Sequence, residues 1–256
     1  MIEQELPAKR LKLGIELDLP TIFPADKVLA GVTKRNLHLF PEKGGLSLSP
    51  GKILSRNELQ LHRQKLADTI GVDIHQMKFQ NQVHGAKVRL VHAHSRTEES
   101  DGMITAEKGI VLCVIIADCG AILLYDPVNE AIGALHSGWR GTKENIAAKG
   151  IELMQKNFSS RPEDLLCYVS ACASGDNYRV REDVARFFPT VSRKVNEEEF
   201  LLDIRSRIRE ELCETGVQEG NIEMSSECTI GNPAYHSYRR DGDSSGRMAA
   251  FIGMKA

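Results

Sequence analysis

Three short polar segments, each placed at the end of an apolar run, carry the side chains best suited to chemistry in this chain. They are Gln82-Val83-His84-Gly85, Ala117-Asp118-Cys119-Gly120 and Leu135-His136-Ser137-Gly138-Trp139-Arg140-Gly141. A residue at a strand end is held by the sheet while its side chain reaches a cleft. His84, Cys119 and His136 together form a thiolate–imidazole set of the kind that binds zinc, with a fourth position left for water or substrate. The same residues also make a nucleophile pair, Cys119 attacking with His84 or His136 as its base. The separations, 119 − 84 = 35 and 136 − 119 = 17 residues, match no fixed ligand spacing, so residue types leave both readings open. Asp118 is placed to shuttle a proton in either case, or to stand as a structural carboxylate beside the ligands.

Two places could receive an anion. Gly138-Trp139-Arg140-Gly141 precedes Thr142, a candidate cap for a helix reaching about Phe158, and a helix N-terminus with an arginine suits phosphate. Tyr238-Arg239-Arg240-Asp241 followed by Gly246-Arg247-Met248 is the second. The structural alternatives are a tight strand-to-helix turn for the first, and for the second a solvated turn whose arginines pair with Asp241 and Asp243.

The elements that must position these residues follow from periodicity. Asn57 to Ile70 reads as a helix closed by Gly71. Ile110 to Ala117 is a continuous β-branched run, as expected of a strand buried on both faces. Leu46–Ser49, Val88–Val91, Ala121–Tyr125, Ala131–Leu135, Leu165–Val169, Ile222–Thr229 and Arg247–Ile252 read as strands, with a turn at Asp126–Asn129. Glu182–Phe188 and Leu202–Thr215 read as helices. Strands and helices mix without regular βαβ alternation, which predicts an α+β, single-domain fold over residues 28–256 after an irregular N-terminal segment, residues 1–27.

Composition narrows the function. With 33 Lys plus Arg against 35 Asp plus Glu, the net charge of −2 argues against a basic nucleic-acid binder. No apolar run approaches the ~18 residues that span a bilayer, and the N-terminus lacks the basic and apolar regions of a secretory signal. The six cysteines include no CxxC pair, and Cys113, Cys167 and Cys213 sit among apolar residues. A cytoplasmic protein with reduced thiols, and with neither nucleic-acid nor membrane partners, is expected.

In order, QVHG at 82–85, DGMIT at 101–105, ADC at 117–119, HSGWRGT at 136–142, SYRRDG at 237–242 and SGRMAAFI at 245–252 closely resemble the YfiH-type family. That family was first described as multicopper polyphenol oxidoreductases (laccases) and later as purine nucleoside phosphorylases. The resemblance runs from about Val28 to the C-terminus. It implies mixed β-sheets layered between helices (α/β/β/α), similar to a toxin deamidase fold that uses a Cys-His pair. It implies zinc held by His84, Cys119 and His136. It also implies phosphorolysis of adenosine, inosine, guanosine and methylthioadenosine, with adenosine deaminase activity. Bacterial relatives are linked to editing of peptidoglycan precursors, which suggests an amidase role. The chain departs from the family at Ser170-Ala171-Cys172-Ala173-Ser174, where a GPxIG segment is usual, and this bears on substrate preference.

Purine nucleosides and phosphate are thus the expected partners. Arg140, Arg239, Arg240 and Arg247 are the candidate anion ligands, and Asp118, Cys119 and His84 the candidate catalytic groups. The alternatives are a metal-free cysteine amidase and a non-catalytic zinc-stabilised binding module. A multicopper site fits poorly, because the eight histidines are scattered, with only His92-Ala93-His94 as an HxH pair.

Overall fold

The computed structural model describes residues 14–49 and 51–255. In chain order the strands are β1 (Leu17–Asp18), β2 (Val28–Thr33), β3 (Met77–Lys78), β4 (Val88–Leu90), β5 (Gly102–Thr105), β6 (Val111–Ile116), β7 (Gly120–Asp126), β8 (Ala131–Ser137), β9 (Leu166–Val169), β10 (Arg179–Arg181), β11 (Ser192–Lys194), β12 (Glu199–Leu202), β13 (Ile222–Met224) and β14 (Met248–Met254). The helices are α1 (Arg56–Ile70), α2 (Trp139–Lys143), α3 (Ile146–Phe158), α4 (Glu182–Ala185), α5 (Ile204–Glu214) and α6 (Tyr238–Asp241).

The strands form a five-stranded sheet, β1-β2-β14-β6-β3, a six-stranded sheet, β13-β9-β7-β8-β5-β4, and a small ribbon, β10-β12-β11. Strand alternation builds the layers. In β6, Leu112, Val114 and Ile116 meet Ala121, Leu123 and Tyr125 of β7 in a core between the two sheets. The other face of β6 packs Val111 and Cys113 against Leu66 and Ala67 of α1. Ile122 and Leu124 of β7 pack outward against α3 and α5 through Ile146, Ile151, Ile208 and Leu212. The order is therefore helix, sheet, sheet, helix. Gly150 lets α3 sit close on β8, since a Cβ there would lie 2.7 Å from Leu135 Cδ1.

Several local expectations are corrected. Thr142 does not begin a helix. It lies inside α2, whose cap is Gly138, and its hydroxyl bonds Gly138 O at 3.0 Å and Ser137 Oγ at 2.8 Å. Asn145, in the left-handed region at φ 58°, separates α2 from α3. Leu46–Ser49 is not a strand, because Leu46 N donates to Arg35 O and Leu48 N to Arg247 O, two unrelated partners. The strand expected over Ile222–Thr229 stops at Met224, and that over Arg247–Ile252 extends to Met254. Within the segment expected to be irregular, β1 pairs antiparallel with β2; residues 1–13 of that segment lie outside the described residues. Cys113 and Cys167 are buried, but Cys213 is exposed on α5.

The N-terminus of α3 is served from another helix. Asn145 supplies no side-chain cap, and the buried Glu211 of α5 accepts from Ala147 N at 3.0 Å and Ala148 N at 3.3 Å. Its second oxygen has no hydrogen-bond partner among the described residues. Burial, only partly opposed by those two N–H groups, pushes Glu211 from 4.5 up to about 7. A carboxyl raised in the folded state binds more protons than in the unfolded chain between those values, so stability falls as pH rises from 4.5 to about 7 and levels off above. Glu211→Gln keeps an acceptor for both N–H groups and removes the titration. Denaturant titrations of the two proteins should show their stability difference moving by on the order of 2–3 kcal/mol across that window. Parallel curves would mean that Glu211 does not titrate there.

Candidate active site

The chain changes sheets at Ala117-Asp118-Cys119, between the end of β6 and the start of β7. The turn is tight enough to hold Asp118 at φ 83°. It delivers Cys119 to the end of the inter-sheet core, next to His136 on β8. His84 arrives from the loop before β4, itself at φ 60°. The ligand-type atoms of His84, Cys119 and His136 all lie within 4.8 Å of one another, and the two imidazoles meet edge to face at 4.9 Å between centroids. His84 is exposed, Cys119 half-buried and His136 buried, so the cluster opens to solvent on the His84 side.

One carboxylate organises the cluster. Asp101, fully buried just before β5, accepts from Val83 N (3.2 Å), His84 N (3.0 Å), Gly85 N (2.8 Å) and His136 Nδ1 (2.8 Å). An ionised carboxylate can only accept, so Nδ1 of His136 carries the proton and Nε2 keeps its lone pair for the cluster. Burial works against ionisation of Asp101, but the His136 bond and the backbone N–H groups outweigh it and hold the carboxyl below its usual range. Burial likewise opposes charge on Cys119 and His136, yet each stabilises the other. The thiol is held down by His136 and His84, and the imidazole is held up by the thiolate and Asp101. Each group thus favours the charged form of the other, and a metal would take the Nε2 position of His136 in place of a second ring proton.

The set fits a metal ion: one soft thiolate, two imidazoles, and a carboxylate orienting one ring from behind. The backbone makes room for it. A Cβ on Gly138 would lie 2.8 Å from Cys119 Sγ, and one on Gly141 would lie 2.9 Å from Gly85 O. Both glycines of Gly-Trp-Arg-Gly are thus required by close approach. Among the described residues this is the one His/Cys/acid cluster with such convergence.

The other sequence-derived residues fall into distinct roles. Asp118 Oδ1 accepts from Thr229 Oγ1 and Oδ2 from Arg239 N, each at 2.7 Å, so both oxygens are engaged. Arg240 is used internally. It forks onto Asp241 at 2.8–2.9 Å and donates to the carbonyls of Thr229, Ile230, Asn232 and Tyr235. Arg247 donates to Ser245 O and Gly246 O and lies over the Tyr238 ring. Arg239 lies over Tyr178 and donates to Arg179 O. Arg140 is exposed, stacks over Trp139 at 4.2 Å, and has no hydrogen bond or ion pair among the described residues. The ion pair expected of the alternative, structural Arg140 is not formed.

Asp101 had no role in the sequence reading, although DGMIT was singled out. Its signal is an acid immediately before a buried strand. Tyr178 and Trp139 were also missed. With Asp118, Cys119, Ser137, Gly138 and Ile204 they line a cavity of about 30 Å³ beside the sulfur. Burial and the nearby thiolate push Tyr178 up to about 12. The departing segment 170–174 packs under this wall. Ser170 Oγ accepts from Ala121 N, and Ala173 N donates to Asp118 O.

Asp101→Asn should test the organising role. An amide cannot accept from all four donors and can turn its NH₂ toward His136, reversing the tautomer. Metal affinity measured by competition with a chelator should fall about 10- to 100-fold with the fold retained. Unchanged affinity would show that the carboxylate serves only the loop.

Residues 47–255 match the family model described as multi-copper polyphenol oxidoreductase laccase. The chain is 29% identical over 256 aligned positions to a protein named purine nucleoside phosphorylase YlmD from Bacillus subtilis, covering 90% of this chain and 89% of that one. It is 33% identical to a Deinococcus radiodurans protein named purine nucleoside phosphorylase, covering 85% and 88%. The crystal structure of YlmD from Geobacillus stearothermophilus superposes with a TM-score of 0.84 at 26% identity, covering 93% and 94% of the two chains. A Bacillus licheniformis YfiH structure gives 0.83 at 27%, covering 89% and 93%. Together with the layered sheets and the His-Cys-His cluster, these likenesses place the chain in the multi-copper polyphenol oxidoreductase laccase family, among the YfiH and YlmD proteins.

Proposed function

We propose that the chain is a zinc-dependent purine nucleoside phosphorylase. In this reading His84, Cys119 and His136 hold the metal and Arg140 meets phosphate. The observation that carries it is the convergence of three ligand atoms within 4.8 Å with Asp101 fixing His136 from behind. The relatives' names supply the reaction class. Adenosine, inosine, guanosine and methylthioadenosine are the substrates proposed, with adenosine deamination as a second reaction. Zinc, when bound, would supply positive charge for the developing anion and activate a water for deamination.

The chain's own groups have definite tasks. Asp101 fixes the proton on His136 Nδ1. Gly138 keeps the space beside the sulfur clear. Asp118, with both oxygens engaged, ties the β6–β7 turn to Thr229 and to the backbone of Arg239, so we assign it a positioning role rather than proton transfer. Arg140 offers a guanidinium unpaired among the described residues, and Arg239, over Tyr178, and Arg247, over Tyr238, are the further candidate cations. Arg240 is assigned to the fold. In phosphorolysis the C1′–N bond of the nucleoside breaks, a C1′–O bond to phosphate forms, and the purine takes a proton.

The approach of Cys119 to His136 and His84 favours one alternative, a metal-free cysteine amidase with Cys119 as nucleophile. A sulfur committed to zinc is a poor free nucleophile, so metal content separates the two. Protein purified without added metal should carry about one zinc per chain, and Cys119→Ser should lose both metal and nucleoside turnover while keeping its circular dichroism spectrum. Amide hydrolysis by metal-free wild-type protein would favour the amidase.

Arg140→Ala should raise the Michaelis constant for phosphate about 10- to 100-fold, the equivalent of one charge-assisted hydrogen bond of ~1.5–3 kcal/mol. Adenosine deamination, which uses water, should change much less. Equal losses in both reactions with a lowered melting temperature would count against a phosphate contact.

A further inference from the structure

A second cavity, of about 340 Å³, opens where the edge strands β3 and β4 of the two sheets come together beside α1. It shares no lining residue with the cavity at Cys119. Its volume lies in the range of small-molecule sites. Arg63, Lys78, Arg89 and Arg96 line it, and no carboxylate does. Arg89 pairs with Glu98 at 3.0 Å. Arg63, Lys78 and Arg96 make no ion pair among the described residues, in a chain whose acids outnumber its Lys and Arg.

Two of these cations, Arg63 and Lys78, are held in place, and Arg96 is exposed. The Arg63 guanidinium stacks 3.8 Å from the Phe79 ring centroid. Its Nε and Nη2 reach Leu48 O only at 3.4 and 3.3 Å, which leaves Nη1 without a partner among the described residues. A half-buried guanidinium with no counter-charge is costly, and an anion offsets that cost. Lys78 Nζ is anchored by the carbonyls of Ala93 (2.5 Å) and His75 (3.3 Å). Ser95 and Thr97 add hydroxyls, while the half-buried Ile74 and Phe79, backed by the buried Met77 and Met103, give the cavity a small apolar wall. A bare inorganic anion would leave that wall uncovered, and an apolar ligand would leave the cations unmatched.

We propose that this cavity binds a small organic phosphate of nucleoside-monophosphate size. Arg63, Lys78 and Arg96 take the phosphate, and the organic part lies against Ile74 and Phe79. Guanidinium forks match phosphate oxygens two at a time. This site is independent of the phosphorylase reading, and absence of nucleoside turnover would leave it intact.

Calorimetric titration of AMP into the full chain and into Cys119→Ser tests it, the variant serving to discount binding at the His-Cys-His cluster. AMP should bind with the same affinity in both. Arg96→Ala, an exposed change that leaves the fold and nucleoside turnover untouched, should weaken AMP about tenfold, and Arg63→Ala with Arg96→Ala should weaken it further. Adenosine, inorganic phosphate and citrate should each bind at least tenfold less tightly than AMP. Binding that disappears with Cys119→Ser, binding indifferent to Arg96→Ala, citrate or phosphate as tight as AMP, or no binding at all would each overturn the proposal.

Discussion

Asp101 is the interaction on which the site depends. A carboxylate removed from water is expensive unless its oxygens are satisfied, and here four donors converge on it: three successive backbone N–H groups of Val83, His84 and Gly85, and the ring of His136. Those bonds do two jobs at once. They curl the 83–85 loop around the carboxylate, which sets His84 in the left-handed region, and they fix the ring orientation of His136. The backbone of Asp101 adds a third tie, its carbonyl accepting from His136 N at 2.6 Å. Two of the three cluster residues are therefore placed by one side chain, and that side chain is stable as an anion only because they are there.

Cys119 is placed differently, by topology. The chain passes from the five-stranded to the six-stranded sheet in three residues, and Cys119 is the last of them. Such a short crossing leaves little freedom. Asp118 takes a positive φ, and its side chain and carbonyl are tied to Thr229, to the backbone of Arg239 and to Ala173. The C-terminal arginine loop is thereby clamped to the same turn. Arg240 completes the clamp with carbonyls of its own loop, which is why a conspicuous arginine pair yields one cation for the loop's interior and one for the neighbourhood of Tyr178.

Features set by local chemistry were legible in the sequence. The helix at Arg56–Ile70 has a Ser55–Glu58 capping box and Gly71 at φ 73°, and β6 reads as a strand because both its faces are buried. The layered fold and the three cluster residues were legible through resemblance, since nothing in separations of 35 and 17 residues indicates contact. What escaped depends on distant partners. Leu46 and Leu48 alternate like a strand, yet they bond to separate segments. The expected strand at Ile222–Thr229 ends at Met224, and Thr229 then turns to bond Asp118 through its hydroxyl and Cys172 through its N–H. Asp101 opens the DGMIT segment, but its role exists only once the 83–85 loop folds onto it.

On the proposed function, the dimensions of the site constrain where a nucleoside would lie. The cavity between Cys119, Trp139 and Tyr178, about 30 Å³, accommodates little more than a water molecule. The ligating groups must therefore be reached from the solvent side, on which His84 is exposed. Val83, next to His84, and Tyr238, next to the Arg239 whose N–H bonds Asp118, are left at 51% and 49% exposure, and on the proposed reading a purine or ribose would cover them. On the reading proposed here, the deep end of the site serves the ligating atoms and at most a water, while the shallow end binds substrate. Groups at the shallow end then decide which nucleoside is accepted. On that reading the altered Ser170–Ser174 segment, whose Ala173 N–H bonds the Asp118 carbonyl, would act on substrate choice through the β6–β7 turn.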